Sequence, residues 1–388
     1  LYTLLIMFPV LASAQINTDR VMAIGRNALY FEDYVLSIQY FNQVINAKPY
    51  LSDPYFYRGL AKINLDDFQG AESDCSEAIE RNPFVVSAYQ VRGLARIQQN
   101  NFAGAIEDYT KALEFDPENI GVWHNMALCR IRQEDYKGAK NDLDKLIAIS
   151  PRYTKAYLMR GEVDLKQKDT LAAEKDFGKA IEIDRYDADT WASRAILRLQ
   201  QQRYKDAEAD FDHAIRLSTR NSGVYINRAL ARYHQNNLRG AMSDYDIALD
   251  IDPNNFIGHY NRGLLRAQVG DDNRAIQDFN FVIEMEPDNM MAIFNRGLLL
   301  DQTGDYKGAI KDYSTVINEY PNFLLGYQYR AQARRKIGDV KGADADEFKV
   351  LKAQLDKQNG VDPNKQTADN TENNNCLLYT SDAADDLL

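Results

Sequence analysis

An all-α chain built from tandem helix hairpins is what this sequence predicts, and three observations carry the prediction. Pro49, Pro83, Pro117 and Pro151 stand 34 residues apart, and the same step leads through Arg185 and Thr219 to Pro253, Pro287 and Pro321. Count repeats from three residues after each of these positions. Position 20 is then alanine nine times in nine: Ala71, Ala105, Ala139, Ala173, Ala207, Ala241, Ala275, Ala309 and Ala343. Position 8 is glycine or alanine in the same nine: Gly59, Gly93, Ala127, Gly161, Ala195, Ala229, Gly263, Gly297 and Ala331. A fixed period of this length marks a stacked array of one supersecondary unit. A weaker repeat with Gly25 and Ser37 at the same positions precedes the nine, so ten repeats fill 18–357, starting at 18, 52, 86, 120, 154, 188, 222, 256, 290 and 324.

Within a repeat the first helix is marked by an aromatic at position 4 (Tyr55, Tyr89, Trp123, Tyr157, Trp191, Tyr225, Tyr327), one turn before the small residue at position 8. The second helix carries the alanine at 20, an apolar or aromatic residue at 24 (Tyr109, Phe177, Phe211, Tyr245, Phe279, Tyr313) and apolar residues at 27 and 28, which is helical spacing. Gly270-Asp271, Gly304-Asp305, Gly338-Asp339, Asn100-Asn101 and Asn236-Asn237 sit between the two. Such pairs supply a left-handed stop and then a cap for the next helix. Asp252-Pro253-Asn254-Asn255 ends one repeat and caps the following one. Small residues at 8 and 20 let two helix backbones approach, and a larger side chain there would overpack the contact.

Both ends read differently. Residues 1–14, LYTLLIMFPVLASA, are apolar and uncharged and finish on Ala12-Ser13-Ala14, the core and cleavage region of a secretory signal peptide lacking its basic start. Gln15 follows where a lipid anchor would require cysteine, so the expectation is an exported protein, periplasmic or extracellular, with no membrane span in the mature chain. Residues 358–375 have the polar composition of a disordered tail. Residues 376–388, beginning Cys376-Leu377-Leu378-Tyr379, resemble the in-frame translation of a sequencing adapter and are set aside.

The charge balance excludes one class of partner. Lys and Arg number 46 against 57 Asp and Glu, a formal net charge of −11, which leaves no surplus to neutralise a phosphate backbone. Three cysteines cannot build a disulfide framework. Cys75 and Cys129 fall at packing positions 24 and 10 and read as buried thiols.

An aromatic at 4, small residues at 8 and 20, an aromatic at 24, mostly alanine at 27 and proline at 32, with period 34, resemble the tetratricopeptide repeat (TPR) over 18–357. The departures are Arg185 and Thr219 at the proline position, His259 and Ile293 at position 4, Cys75 and Leu143 at position 24, and Glu347 in the last repeat. The resemblance implies a right-handed superhelical solenoid of antiparallel helix hairpins whose concave groove is lined by first helices.

Aspartate occupies position 23 in nine repeats (Asp74, Asp108, Asp142, Asp176, Asp210, Asp244, Asp278, Asp312, Asp346). Arginine occupies position 7 in eight (Arg58, Arg92, Arg160, Arg194, Arg228, Arg262, Arg296, Arg330), with Met126 the exception. A group present in every repeat serves the repeat, so an Arg–Asp ladder within or between repeats is expected ahead of metal or acid–base chemistry. Basic residues at position 11 (Lys62, Arg96, Arg130, Arg198, Arg232, Arg266, Arg334) are expected to reinforce the same carboxylates.

Function should show in the groove, where repeats need not agree. The resemblance places positions 2, 5, 6, 9, 12 and 13 there. Asn125, Asn227, Asn261 and Asn295 at position 6 could hold an extended peptide backbone, since an amide both donates and accepts. Tyr260, Phe294, Tyr329 and Tyr57 would surround them. The same residues equally fit packing inside the superhelix. Lys155 alone matches the basic clamp of TPR domains that bind chaperone tails, and Met159 stands where a base is required, so that specificity is rejected. The four histidines, His124, His213, His234 and His259, fall at unrelated positions of separate repeats. No P-loop, Cys-x-x-Cys or nucleophile elbow occurs. The reading is a non-enzymatic scaffold without cofactor or metal, binding a partner peptide or helix in the groove. The alternative is a chaperone-like or accessory module for a cell-envelope enzyme or assembly, with a further domain beyond residue 375.

Overall fold

The computed structural model describes residues 17–218 and 220–358. The expected signal peptide, the tail beyond 358, the adapter-like stretch and Thr219 lie outside the described residues. Among these residues there are twenty helices and no strand, and they fall into two compact units, one ending at Asp184 and the other starting at Arg185. The first unit holds α1 (Thr18–Tyr30) with α2 (Tyr34–Ala47), α3 (Asp53–Ile63) with α4 (Phe68–Arg81), α5 (Val86–Gln98) with α6 (Phe102–Phe115), α7 (Ile120–Arg132) with α8 (Tyr136–Ile149), and α9 (Thr154–Lys166) with α10 (Thr170–Ile183). The second holds α11 (Ala188–Gln200) with α12 (Tyr204–Leu217), α13 (Ser222–His234) with α14 (Leu238–Ile251), α15 (Phe256–Gln268) with α16 (Asp272–Met285), α17 (Met290–Thr303) with α18 (Tyr306–Glu319), and α19 (Leu324–Lys336) with α20 (Val340–Gln358).

The turn inside each pair is the same. Position 15 is left-handed in all ten repeats, with φ from 57° to 91°, yet only Gly270, Gly304 and Gly338 are glycine; Glu32, Asp66, Asn100, Glu134, Lys168, Gln202 and Asn236 adopt the same conformation. Position 16 then caps the second helix: Asp67 accepts the Gly70 N–H at 2.9 Å, Asn101 that of Gly104 at 3.1 Å and Asp305 that of Gly308 at 3.0 Å. These contacts satisfy backbone donors that a helix start leaves without intrahelical partners. Asp271 and Arg203 make no side-chain cap at this position; Arg203 has no acceptor and turns instead to Asp206.

Packing follows from the small positions. The nine alanines at position 20 are fully buried. The ring at position 24 lies against position 8 of its own repeat: a Cβ added to Gly161 would stand 2.5 Å from the Phe177 ring, and one added to Gly93 2.7 Å from the Tyr109 ring. Within each unit position 28 joins one repeat's core to the next, as where Ile215 packs against the cluster that holds Tyr225, Ile226 and Tyr245.

Position 4 shows why tyrosine, tryptophan and histidine can all serve there. Trp123 Nε1 donates to the Pro117 carbonyl at 2.8 Å, Trp191 Nε1 to Arg185 at 2.9 Å and Tyr157 Oη to Pro151 at 3.1 Å. His259 Nε2 makes the equivalent contact with Pro253 at 3.0 Å. The shared feature of these residues is a planar ring with a polar edge that anchors the helix to the loop six residues back; Ile293 fills the same position without that anchor.

Candidate protein-binding surface

The charged side chains that recur are consumed by the repeat itself. Arg228 places Nη2 2.6 Å from Asp244 Oδ1 and Nε 3.0 Å from Oδ2, while its Nη1 reaches Asp212 of the preceding repeat at 2.7 Å. Position 7 pairs with position 23 in this way in all eight arginine-bearing repeats, from Arg58–Asp74 to Arg330–Asp346. The ladder therefore joins both the helices of a repeat and successive repeats. The cross-repeat acceptor at position 25 is Asn42, Ser76, Asp144, Asp212, Asp246, Asn280 or Ser314. Position 11 reinforces the same carboxylates in all seven basic cases, for example Arg232 Nη1 on Asp244 Oδ2 at 2.8 Å. The polarity is exchanged once: Asp164 stands at position 11 and takes Lys140 from the preceding repeat. The guanidinium also lies over the position-4 ring, 5.1 Å from its centroid for Arg194 and Trp191.

Burial and the surrounding cations compete at the position-23 carboxylates, and at Asp108 burial wins although Arg92 and Arg96 both donate to it. Burial raises Asp142, and Arg130 alone opposes it because Met126 replaces the usual arginine; the carboxyl is pushed up to about 6. Burial also raises Asp278, but hydrogen bonds from His259 and Arg262 and the charges of Arg262 and Arg266 outweigh it, so this carboxyl falls below its ordinary value.

The histidines and cysteines are tied to their own neighbourhoods. His213 stacks on Trp191 with centroids 4.3 Å apart, His234 on Tyr204 at 4.5 Å and His259 on Phe281 at 4.0 Å, while His124 meets Tyr153. Cys75 and Cys129 are free and buried; burial pushes their thiols up to about 12 and about 11. Among the described residues, no group of three or more His, Cys, Asp or Glu could hold a metal ion. No helix among them is long and apolar enough to cross a membrane.

The residues assigned to the groove divide into two sets. Tyr260 and Asn261 are both 0% exposed, and Asn227 and Asn295 are buried as well. Asn295 Nδ2 donates to Tyr260 Oη at 3.1 Å, and Tyr260 meets Phe279 edge-on at 5.7 Å. As placed, these four pack between successive helices instead of lining an open surface. Position 6 meets the position-24 ring of the preceding repeat where Tyr57 stacks on Phe41 and Tyr329 on Tyr313. Asn125, Tyr57, Phe294 and Tyr329 remain half-buried. Phe294 contacts Tyr329 at 5.8 Å and Phe323 at 5.1 Å, and Tyr329 stacks on Tyr313 at 5.9 Å. Tyr57 stacks on Phe41 at 5.8 Å with Arg26 above it. The structure thus brings together Tyr260 with Asn295 and Phe294 with Tyr329, while Asn125 and Tyr57 belong to the first compact unit.

A different row is accessible. Position 13 is exposed in all ten repeats: Tyr30, Asn64, Gln98, Arg132, Lys166, Gln200, His234, Gln268, Gln302 and Lys336. It shares a helix face with position 9, one turn earlier, where Ile196, Leu264 and Leu298 are half-buried. In the second unit this face presents an apolar row edged by the amides of Gln200, Gln268 and Gln302. Positions 9 and 13 are among those the resemblance assigns to the groove, and Gln98, Gln200, Gln268 and Gln302 repeat an amide at position 13.

Three profiles for this repeat match the chain: one described as TPR repeat at 93–129, and two described as Tetratricopeptide repeat at 120–153 and 154–187 and at 193–256 and 260–322. No curated protein matches the sequence significantly. Among solved structures, a tetratricopeptide repeat protein from Parabacteroides merdae ATCC 43184 is 21% identical, with 64% of this chain and 98% of that chain covered and a TM-score of 0.50. YrrB, a TPR protein with an unusual peptide-binding site, is 21% identical over 48% of this chain and 97% of that one, with a TM-score of 0.42. Yeast Tom70 is 15% identical over 89% of this chain and 94% of that one, with a TM-score of 0.40.

Proposed function

The chain belongs to the tetratricopeptide repeat family, whose fold is a protein-interaction scaffold, and on that premise we propose that it is a non-enzymatic scaffold binding a peptide segment of a protein partner. The segment lies along the first helices of the second compact unit, on the face formed by positions 9 and 13. The observation that carries this reading is the contrast between the two kinds of position. The charged groups recurring at 7, 11 and 23 engage one another, whereas position 13 is exposed in every repeat and differs between repeats. Half-buried Ile196, Leu264 and Leu298 supply apolar contact, and Gln200, Gln268 and Gln302 supply paired donors and acceptors for a peptide backbone.

The test uses a random peptide display library selected on the full chain. An enriched peptide is expected to lose roughly tenfold or more in affinity when Gln200, Gln268 and Gln302 are changed together to Ala, since net hydrogen bonds contribute about 1 kcal/mol each and 1.4 kcal/mol is tenfold. Unchanged affinity rejects this face as the site.

Export is part of the same proposal and rests on the apolar run ending in Ala12-Ser13-Ala14. Residues 1–20, placed behind a Met-Lys-Lys start and fused to a reporter active only outside the cytoplasm, should yield activity; a silent, cytoplasmic fusion would reject export.

A further inference from the structure

Seven of the eight junctions inside the two compact units carry a hydrogen bond from an arginine at position 7 to position 25 of the repeat before. The exception is the junction between the α5–α6 and α7–α8 repeats. Position 7 there is Met126, whose sulfur lies 4.0 Å from Thr110 Oγ1. A second kind of cross-junction tie is missing at the same place. Arg96 and Gln99 reach back to Glu72 at position 21 of the preceding repeat, and Arg232 and Gln235 reach back to Glu208. On α6 position 21 is Ile106, so Arg130 and Gln133 find no carboxylate there. Arg130 turns instead to Asp135 and Asp142 of its own repeat. Among the described residues no ion pair crosses this junction.

A cavity of about 350 Å³ lies in this seam. That is within the size range of small-molecule sites, roughly 300–1,000 Å³. Half-buried Ile97, Phe102 and Leu128 and buried Cys129 make its apolar wall, and exposed Asn100 and Arg132 complete the lining. Cys129 adds no charge, since burial pushes its thiol up to about 11. Among the described residues the side chains of Asn100 and Arg132 engage no hydrogen bond or ion pair. One cation and one amide, both with donors to spare, therefore meet an apolar wall. The other junctions of the first unit differ in charge. At the place of Asn100 they carry Glu32, Asp66 and Glu134, each of which would repel an anion.

We propose that this cavity is a binding site for a small amphipathic carboxylate, a free medium-chain fatty acid. Its chain lies against Ile97, Phe102 and Leu128, and its carboxylate accepts from the Arg132 guanidinium and from Asn100 Nδ2. The site belongs to the first unit and does not rest on the peptide face proposed for the second.

Calorimetry on the full chain with octanoate tests this. Octanoate should saturate at about one per chain and slow the labelling of Cys129 by a neutral methanethiosulfonate, read by peptide mapping. Arg132→Glu should weaken it by roughly tenfold or more, the loss of a hydrogen bond to a charged group. Leu128→Trp, which fills the cavity, should abolish it. Arg132 is exposed and Leu128 half-buried, so both variants should keep the wild-type circular dichroism. Octylamine, with the same chain and the opposite charge, should bind more weakly than octanoate. Saturation that survives either substitution, equal binding of octylamine, unaltered Cys129 labelling or no saturation overturns the proposal. Tighter binding of acetyl-Gly-Gly-Leu than of octanoate also overturns it, by assigning the site to a peptide terminus.

Discussion

Asp278 receives Arg262 along both carboxylate oxygens, Nη2 to Oδ1 at 2.8 Å and Nε to Oδ2 at 3.1 Å, and the remaining Arg262 nitrogen reaches Asp246 of the preceding repeat at 2.8 Å. One guanidinium thus fixes the angle between two helices and the register between two repeats. Removing one partner of a buried pair costs roughly 3–5 kcal/mol because the other charge is left without compensation. Asp278→Ala is expected in that range. A double-mutant cycle of Arg262→Ala and Asp278→Ala, followed by urea denaturation, should give a coupling energy above about 1 kcal/mol. Additive effects would remove the ladder from the account of stability.

Two position-23 carboxylates, Asp142 and Asp278, respond to pH in opposite directions. The Asp142 carboxyl sits at about 6 in the fold against an ordinary 3.8. The folded state therefore binds the extra proton between those values, and stability from this group is lost as pH rises from about 4 through about 6. Asp278 is held below 3.8, so its contribution is present at neutral pH and lost as pH falls through its folded pKa. Asp142→Asn should gain on the wild type between pH 4 and pH 7. Carboxyl-carbon NMR should titrate Asp142 near 6, and a midpoint near 4 would contradict the assignment.

The turn between α11 and α12 breaks two local rules at once. Gln202 is left-handed at φ 61°, and Arg203 occupies the cap position without capping. Left-handed backbone costs a residue with a Cβ roughly 1–2 kcal/mol, much of which glycine recovers. Arg203→Asp should add about 1 kcal/mol by capping α12. Thermal unfolding of Gln202→Gly and of Arg203→Asp should each show a rise in Tm; a fall in both would mean the turn is held by contacts other than these.

Gly161 is expected to tolerate no larger side chain, because a Cβ there meets Phe177 at 2.5 Å. Gly161→Ala should destabilise by about 1–3 kcal/mol. Phe177→Leu in the same background should restore part of the loss, which a purely local helix effect of alanine would not allow.

The sequence shows most clearly what recurs from repeat to repeat. Period, small positions 8 and 20, the ring at 24 and the Arg–Asp pairs recur because each repeat meets the same neighbours. The left-handed position 15 is less legible, since Glu134 and Lys168 adopt it without glycine. The amides at position 6 illustrate the limit best. A polar residue on a first helix reads equally as a surface anchor and as a buried inter-repeat group, and only the preceding repeat's ring decides. Asn261 proves fully buried, whereas Gln268, two turns further along α15, is exposed.

Hydrogen exchange on the full chain, with and without the library-selected peptide, tests the scaffold reading most directly. Added protection is expected in first helices of the second unit, around Gln200 in α11, Gln268 in α15 and Gln302 in α17, with the second helices α12, α16 and α18 unchanged. Protection confined to second helices or to the inter-helix turns, with the position-13 face unaffected, would contradict it.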